Sequence, residues 1–411
     1  MSLPSIQGVT LRVIGASGLV FLTVLGAKAL TARPAAAPAR TPAPAQVPGT
    51  FQDWVKRMEA RGIQVSAGVW DIQTGRALES HQPDLALVPA SVTKVVSTYA
   101  LLRAWKPDFQ LETTVYGDLQ GGAQSGVVKG DLVFKGGGDP FFTTERIFLL
   151  AQELRRLGVQ RVTGRVRLDQ TAFDAQRYGN GWENTSSDTT PPVLPLSVNF
   201  SRDERGAIVA DPERLAVDTL VKVLADVGIA VENGPSGGAG RKLLDFKSPP
   251  LRMLVADINK FSNNFMIEVL VKRFGDGSWP RGIARIQAFY KEQFGLGPDK
   301  IAITDGSGLS KNNLLSARTL AIVLRGAVND FEVGPEMVSS LKVIGGEPWK
   351  LRIKDPNLAR RVRCKTGHLS GVTTVCGLLQ TPDGKQRIFA ILLNGNSHEE
   401  DAWEQVSRWA N

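Results

Sequence analysis

Alternating apolar residues mark short strands near both ends of this sequence, and that pattern ties the two ends into one sheet. Ile63 to Trp70 alternates in this way, and Ala77 to Ser80 follows it after the turn Gln73-Thr74-Gly75-Arg76. Toward the other end Arg361 to Thr366, Val372 to Leu379 and Arg387 to Leu393 read as strands, the last two joined through Thr381-Pro382-Asp383-Gly384. Helical spacing predicts helices over Phe51–Arg61, Leu251–Lys260, Phe265–Phe274, Ser316–Ala327 and Glu399–Ala410, and another from Ser91 with Val92, Val95, Val96, Tyr99 and Leu102 on one stripe. A sheet must cover its apolar face, so the expected class is α/β (α+β): a central antiparallel sheet flanked by helices. Residues 51–111 and 246–411 form this body. The intervening 112–245, with strands at Val127–Phe134 and Val162–Leu168, a helix near Arg146–Leu157 and many Gly/Pro turns, is then inserted as mainly β accessory domains.

The 411 residues are 42% hydrophobic and 22% charged, which fits a globular chain of two or three domains and excludes a multispan membrane protein or a disordered one. Three His and two Cys, without HExxH or CxxC, argue against a zinc site. The net charge of +9 suits an anionic partner and equally suits solubility. The N-terminus narrows this choice. Val13 to Ala27 is an apolar run behind Arg12, and Ala27-Lys28-Ala29 offers a small-x-small cleavage site. We read 1–29 as a signal peptide, with an uncleaved anchor and peripheral membrane association as the alternative, because the run is shorter than the roughly 20 residues that span a bilayer. The Pro/Ala-rich stretch 30–50 is a linker. Export to the periplasm follows, and nucleic acid is not an expected partner.

Ser91-Val92-Thr93-Lys94 places a hydroxyl and an amine on one face at a helix start, where apolar neighbours lower the amine's pKa and let it act as a base. Ser339-Ser340-Leu341-Lys342 has the same spacing without that setting. Lys365-Thr366-Gly367 ends a strand whose Arg361, Arg363 and Lys365 share one face, suited to a carboxylate or to protecting a sheet edge. Ser-x-Asn occurs at Ser197, Ser262 and Ser310, and only Ser262-Asn263-Asn264 falls in a short connection between two helices.

Taken in order, Ser-x-x-Lys, Ser-x-Asn and Lys-Thr-Gly resemble the signature of the penicillin-binding and serine β-lactamase group. The longer blocks SPPLRMLVADINKFSNNFMIEVL (248–270), DGSGLSKNNLLS (305–316), GDLVFKGGGDP (130–140) and KTGHLSGVTTVCGLL (365–379) resemble the D-alanyl-D-alanine carboxypeptidase/endopeptidase family of penicillin-binding protein 4, peptidase family S13, which carries additional domains inserted between the first two motifs. The resemblance implies a periplasmic serine peptidase acting on peptidoglycan stem peptides without cofactor or metal, and covalently inhibited by β-lactam antibiotics. It implies Ser91 as nucleophile, Lys94 as its base, Ser262 as proton relay to the leaving amine, and Asn264 on the substrate amide. Lys365 and Thr366 would bind the terminal carboxylate on a substrate-binding strand continued by Gly367 and His368, and the backbone N–H groups of Ser91 and His368 would form the oxyanion hole. Asp169 and Lys311 match positions that hold the acidic end of a diaminopimelate side chain.

Three positions depart from the family pattern. His368 stands where Thr or Ser is usual, Lys311 where Arg is common, and Gly345-Gly346-Glu347-Pro348-Trp349 where a G-x-D-G-T pattern is usual. The alternatives are a serine β-lactamase and a non-catalytic envelope-binding relative. Finally, a hairpin turn centred on Ser370 would set Cys364 opposite Cys376, so a disulfide is expected there, with two buried free thiols as the alternative.

Overall fold

The computed structural model describes residues 49–121, 126–182, 190–238, 240–345 and 358–411, so the expected leader, nearly all of the linker and all of the Gly345–Trp349 segment except Gly345 lie outside the described residues. In chain order the helices are α1 Phe51–Ala60, α2 Thr93–Trp105, α3 Thr144–Arg156, α4 Pro212–Asp226, α5 Leu251–Phe261, α6 Asn264–Phe274, α7 Trp279–Phe294, α8 Ala317–Asn329, α9 Gly334–Ser340 and α10 Glu399–Ala410. The strands are β1 Gln64–Asp71, β2 Ala77–His81, β3 Glu112–Gly117, β4 Leu119–Gln120, β5 Gly126–Val128, β6 Leu132–Lys135 and β7 Val159–Val162. They continue with β8 Val166–Asp169, β9 Ala230–Val231, β10 Arg241–Lys247, β11 Lys342–Val343, β12 Val362–Leu369, β13 Val372–Gln380 and β14 Gln386–Asn394. None of the described helices is long and apolar enough to cross a membrane.

One six-stranded sheet runs β11-β12-β13-β14-β1-β2 and is antiparallel throughout, so strands from both ends of the sequence do pair. Its two faces carry separate apolar layers. On one side α1 and α10 bring Phe51, Trp54, Val406 and Trp409 against Val65, Val69 and Phe389. On the other, α2 and α5 to α9 pack with Cys376, Ile388, Ala390 and Leu392. Helix α2 is buried on all sides from Thr93 to Leu102, so the stripe expected from its spacing is in fact a whole surface.

Two four-stranded sheets, β10-β3-β6-β8 and β4-β5-β7-β9, draw all their strands from 112–247. Here each of two long strands expected from sequence is broken. The chain leaves β5 at Gly130 (φ +83°) to enter β6, and leaves β7 at Gly164 to enter β8, so both cross between sheets at the same level. The crossing is tight. The Gly164 N–H donates to Gly130 O at 2.8 Å, and a Cβ at Gly164 would lie 2.5 Å from Asp131 Oδ1, so only glycine fits there. Phe173, Trp182 and Val193 return to the core that holds α2 and α6, so this stretch does not pack wholly apart from the main body.

The register of the β12–β13 hairpin does not set the two cysteines opposite each other. Its loop is the two residues Ser370-Gly371, with Gly371 at φ +73°, and Leu369 pairs with Val372. Cys364 therefore faces Gly377, and Cys376 faces Lys365. The turn is centred one half-residue later than a Ser370-centred turn, and a slip of one residue puts the two thiols on opposite faces of the sheet. Cys364 packs on the α1/α10 side and Cys376 on the α2 side, both free and buried.

Candidate active site

Ser91 lies in a short 3₁₀ turn, Ala90–Val92, that feeds α2. Ala90 holds a left-handed backbone (φ 47°), and its carbonyl accepts the Thr93 hydroxyl at 2.8 Å. That carbonyl leaves no room for a side chain opposite, since a Cβ on Gly308 would come within 1.9 Å of it. Gly367 meets the turn in the same way: a Cβ there would lie 2.7 Å from Ser91 N and 2.4 Å from Thr374 Oγ1. Glycine at 308 and 367 thus lets the DGSGLS loop and strand β12 close on the Ser91 turn from two sides.

One helical turn on from Ser91, the fully buried Lys94 amine sits 2.9 Å from Ser91 Oγ. Its other partners are Asn264 Oδ1 at 2.6 Å and the Ser307 carbonyl at 2.7 Å. Burial brings its pKa down from 10.5 to about 7, against the opposing pull of the Glu268 and Asp305 carboxyls. An amine in this state takes a proton readily and returns it readily.

The α5–α6 connection supplies the second hydroxyl. Ser262 terminates α5 in a left-handed conformation (φ 58°, ψ 38°), an unusual one for a residue with a side chain. Asn263 caps α6 by accepting the Met266 N–H at 3.0 Å, which leaves Asn264 to face Lys94. Lys365, buried on β12, donates to Ser262 Oγ at 2.9 Å and to the Thr366 carbonyl at 2.6 Å. Burial holds its pKa well below 10.5, and Lys94 acts in the same direction. Two hydroxyls, two amines and one amide drawn from three distant segments therefore form two hydrogen-bonded groups, Ser91–Lys94–Asn264 and Ser262–Lys365, held side by side by the α5–α6 connection that supplies Ser262 and Asn264.

The remaining expected positions have other surroundings. Thr366, Gly367 and His368 continue β12 beyond the short β11 pairing, on an edge that no strand among the described residues covers. His368 Nε2 lies 3.2 Å from Glu399 Oε1 at the start of α10, and burial lowers its pKa against the pull of that carboxylate. Lys311 Nζ donates to the Ser370 carbonyl at 3.2 Å. Asp169 ends β8, where it accepts the Thr171 N–H at 2.9 Å and the Thr171 hydroxyl at 2.5 Å. The three-cation face expected on β12 does not form, because Arg361 turns to the chain's end and donates to the Ala410 carbonyl at 2.6 Å. The competing motif copies have structural tasks: Asn199 Oδ1 accepts the Thr144 N–H at 2.9 Å in the first turn of α3, and Ser339 is exposed near the end of α9.

Glu268 and Asp305, both fully buried, escaped the sequence reading. Asp305 accepts Trp182 Nε1–H and the Gly308 N–H at 2.8 Å, and the Ser310 N–H and Asn313 Nδ2–H at 2.7 Å, so it organises the whole DGSGLS loop. The available signal was a lone acid inside the apolar Phe265–Val271 run, and an Asp opening a Gly/Ser-rich block.

Similarity to known proteins runs along most of the chain. Residues 52–203 and 196–411 match the model of the D-Ala-D-Ala carboxypeptidase 3 (S13) family. A D-alanyl-D-alanine carboxypeptidase of Actinomadura sp. (strain R39) is 26% identical over 422 residues, covering 80% of this chain and 77% of the relative. Penicillin-binding protein 4 of Haemophilus influenzae superposes with a TM-score of 0.73 at 19% identity, covering 89% of this chain and 98% of the other. A predatory peptidoglycan endopeptidase of Bdellovibrio bacteriovorus does so with a TM-score of 0.56 at 16% identity, covering 84% and 91%.

Proposed function

The chain belongs to the D-Ala-D-Ala carboxypeptidase 3 (S13) family and is a serine peptidase, and on that premise we propose which of its residues carry the reaction. The substrate is the D-alanyl-D-alanine end of a peptidoglycan stem peptide, and the reaction passes through an ester on Ser91. Neutral Lys94 takes the Ser91 proton as Oγ attacks the penultimate carbonyl. The developing oxyanion is held by the backbone N–H groups of Ser91 and His368. The C–N bond then breaks, and Ser262 passes a proton to the departing amine. Water hydrolyses the ester, with Lys94 again accepting a proton. Asn264 holds the substrate amide, and Lys365 with Thr366 and Gly367 receives the carboxylate. The observation that carries this reading is a buried amine 2.9 Å from one serine hydroxyl, facing a second amine 2.9 Å from another.

Other parts of the reading rest on sequence. Asp169 and Lys311 would bind the acidic end of a branched stem-peptide side chain, and the N-terminal segment would direct export. The stretch 112–245 is read as an accessory region, supported by the two four-stranded sheets whose strands come from it but for the last two residues of β10.

Labelling with a fluorescent penicillin and mass mapping of the adduct tests the assignment. A single adduct on Ser91, lost in Ser91→Ala, is expected; an unlabelled wild-type protein, or undiminished label on Ser91→Ala, defeats it. A D-alanine release assay against a cross-linked muropeptide assay then separates carboxypeptidase from endopeptidase activity.

A further inference from the structure

Glu268 is a fully buried acid that the reaction above does not use. It projects from the second turn of α6 and accepts the Ser307 N–H at 2.6 Å and Trp279 Nε1–H at 2.8 Å. Ser307 is itself fully buried, and its carbonyl receives the Lys94 amine at 2.7 Å. One residue of backbone is thus gripped by Glu268 on its N–H and by Lys94 on its C=O. Burial, assisted by the neighbouring Asp305, pushes the Glu268 pKa up to about 7, the region to which the Lys94 amine is also brought. Two groups that touch the same residue therefore change charge over the same range of pH.

We propose that Glu268 is a positioning residue for the general base: it clamps the Ser307 backbone that receives Lys94, and its charge sets the pH at which that amine becomes free to act. The inference rests on the reading of Lys94 as the base. The charged groups facing this pair come from three directions. Asp305 lies in the loop beside Glu268, Lys365 reaches from β12 toward Lys94, and Lys272, one turn further along α6, is turned away to Asp174 at 2.8 Å. Among these, Glu268 is the acid held directly against the Lys94 receptor. Its carboxylate favours the protonated amine, so its loss must free the amine at lower pH.

Acylation of the full chain by a fluorescent penicillin, measured from about pH 5 to 9, reads this directly, because the acid limb reports the base. At an effective dielectric constant of about 20, a partly ionised carboxyl a few ångströms beyond Ser307 moves that limb by about one pH unit. In Glu268→Gln the limb is expected about one unit lower, with the plateau rate within a few-fold of wild type. Trp279→Phe is the second variant. It keeps the Ser307 contact but removes one donor from the carboxylate, so Glu268 stays protonated to higher pH and the limb moves the same way by less. It decides the matter if Glu268→Gln does not fold. A labelled wild type with unmoved limbs in the folded variants overturns the inference alone, and so does a shift to higher pH. An unlabelled wild type overturns the reading of Ser91, and this inference with it.

Discussion

Replacing Lys94 by Met should remove activity and change the stability of the fold by an amount that depends on pH in a calculable way. In the unfolded chain this amine has its ordinary pKa of 10.5, and in the folded protein burial holds it near 7. Below about pH 7 it is charged in both states, so the folded protein carries the whole cost of a buried cation. Between 7 and 10.5 the unfolded state binds more protons, so stability rises with pH across that window; above it the amine is neutral in both states. At about 1.4 kcal/mol per unit, the full window is worth about 5 kcal/mol, a large share of the 5–15 kcal/mol typical of a domain. Met has similar length and no charge. It leaves the Asn264 and Ser307 oxygens without a donor, at about 1–3 kcal/mol each, but that penalty does not vary with pH. Urea unfolding of both proteins at several pH values from about 6 to 10 isolates the varying part. The stability of Lys94→Met relative to wild type should fall by several kcal/mol as pH rises through that range. A difference that stays constant, or that grows with pH, would refute the claim that the amine is held neutral by burial.

Three further outcomes follow from the geometry. Gly367→Ala should slow acylation at least tenfold and destabilise the protein by about 1–3 kcal/mol, since its methyl would press on Ser91 N and Thr374 Oγ1; an unchanged labelling rate counts against close packing of β12 on the Ser91 turn. Denatured, unreduced protein should show two thiols on titration, while the folded protein reacts slowly because burial raises the Cys364 pKa to about 12 and also raises that of Cys376. Finding no thiols in the denatured protein would restore the disulfide. Asp305→Ala should lower the urea midpoint markedly, because the Trp182, Gly308, Ser310 and Asn313 donors lose their common acceptor; a change under about 1 kcal/mol would mean the loop is held by something else.

Much of the sheet was legible because strand patterning is local. The alternation in Ile63–Trp70 and the β-branched, apolar run Val372–Leu379 need no knowledge of neighbours, and β1 and β13 fall where they place them. Other elements were hidden by residues that look like breakers. Helix α7 carries Pro280 and Gly282, yet the proline sits in the first turn, where it is tolerated, and a Cβ at Gly282 would lie 2.1 Å from Val271 O, so that glycine marks close helix packing. The split strands of 126–169 failed for the opposite reason: apolar residues on both sides of Gly130 and Gly164 read as one run, and only the second sheet shows the crossing.

By itself, the sequence determined the chemistry available: a hydroxyl and an amine one helical turn apart at Ser91 and Lys94, a Ser-x-Asn between two helices, and a Lys-Thr-Gly strand, since each is a spacing within a single element. Tertiary structure alone decided which of these meet. It selected Ser262 over Ser197 and Ser310, because only that connection lies between Lys94 and Lys365. It put the cysteines on opposite faces, because register depends on where a two-residue turn falls and a single step reverses every side chain. It also brought Glu268 onto the Ser307 backbone that receives the Lys94 amine, an encounter between α6, the DGSGLS loop and α2 that long-range packing creates and that periodicity along one helix cannot express.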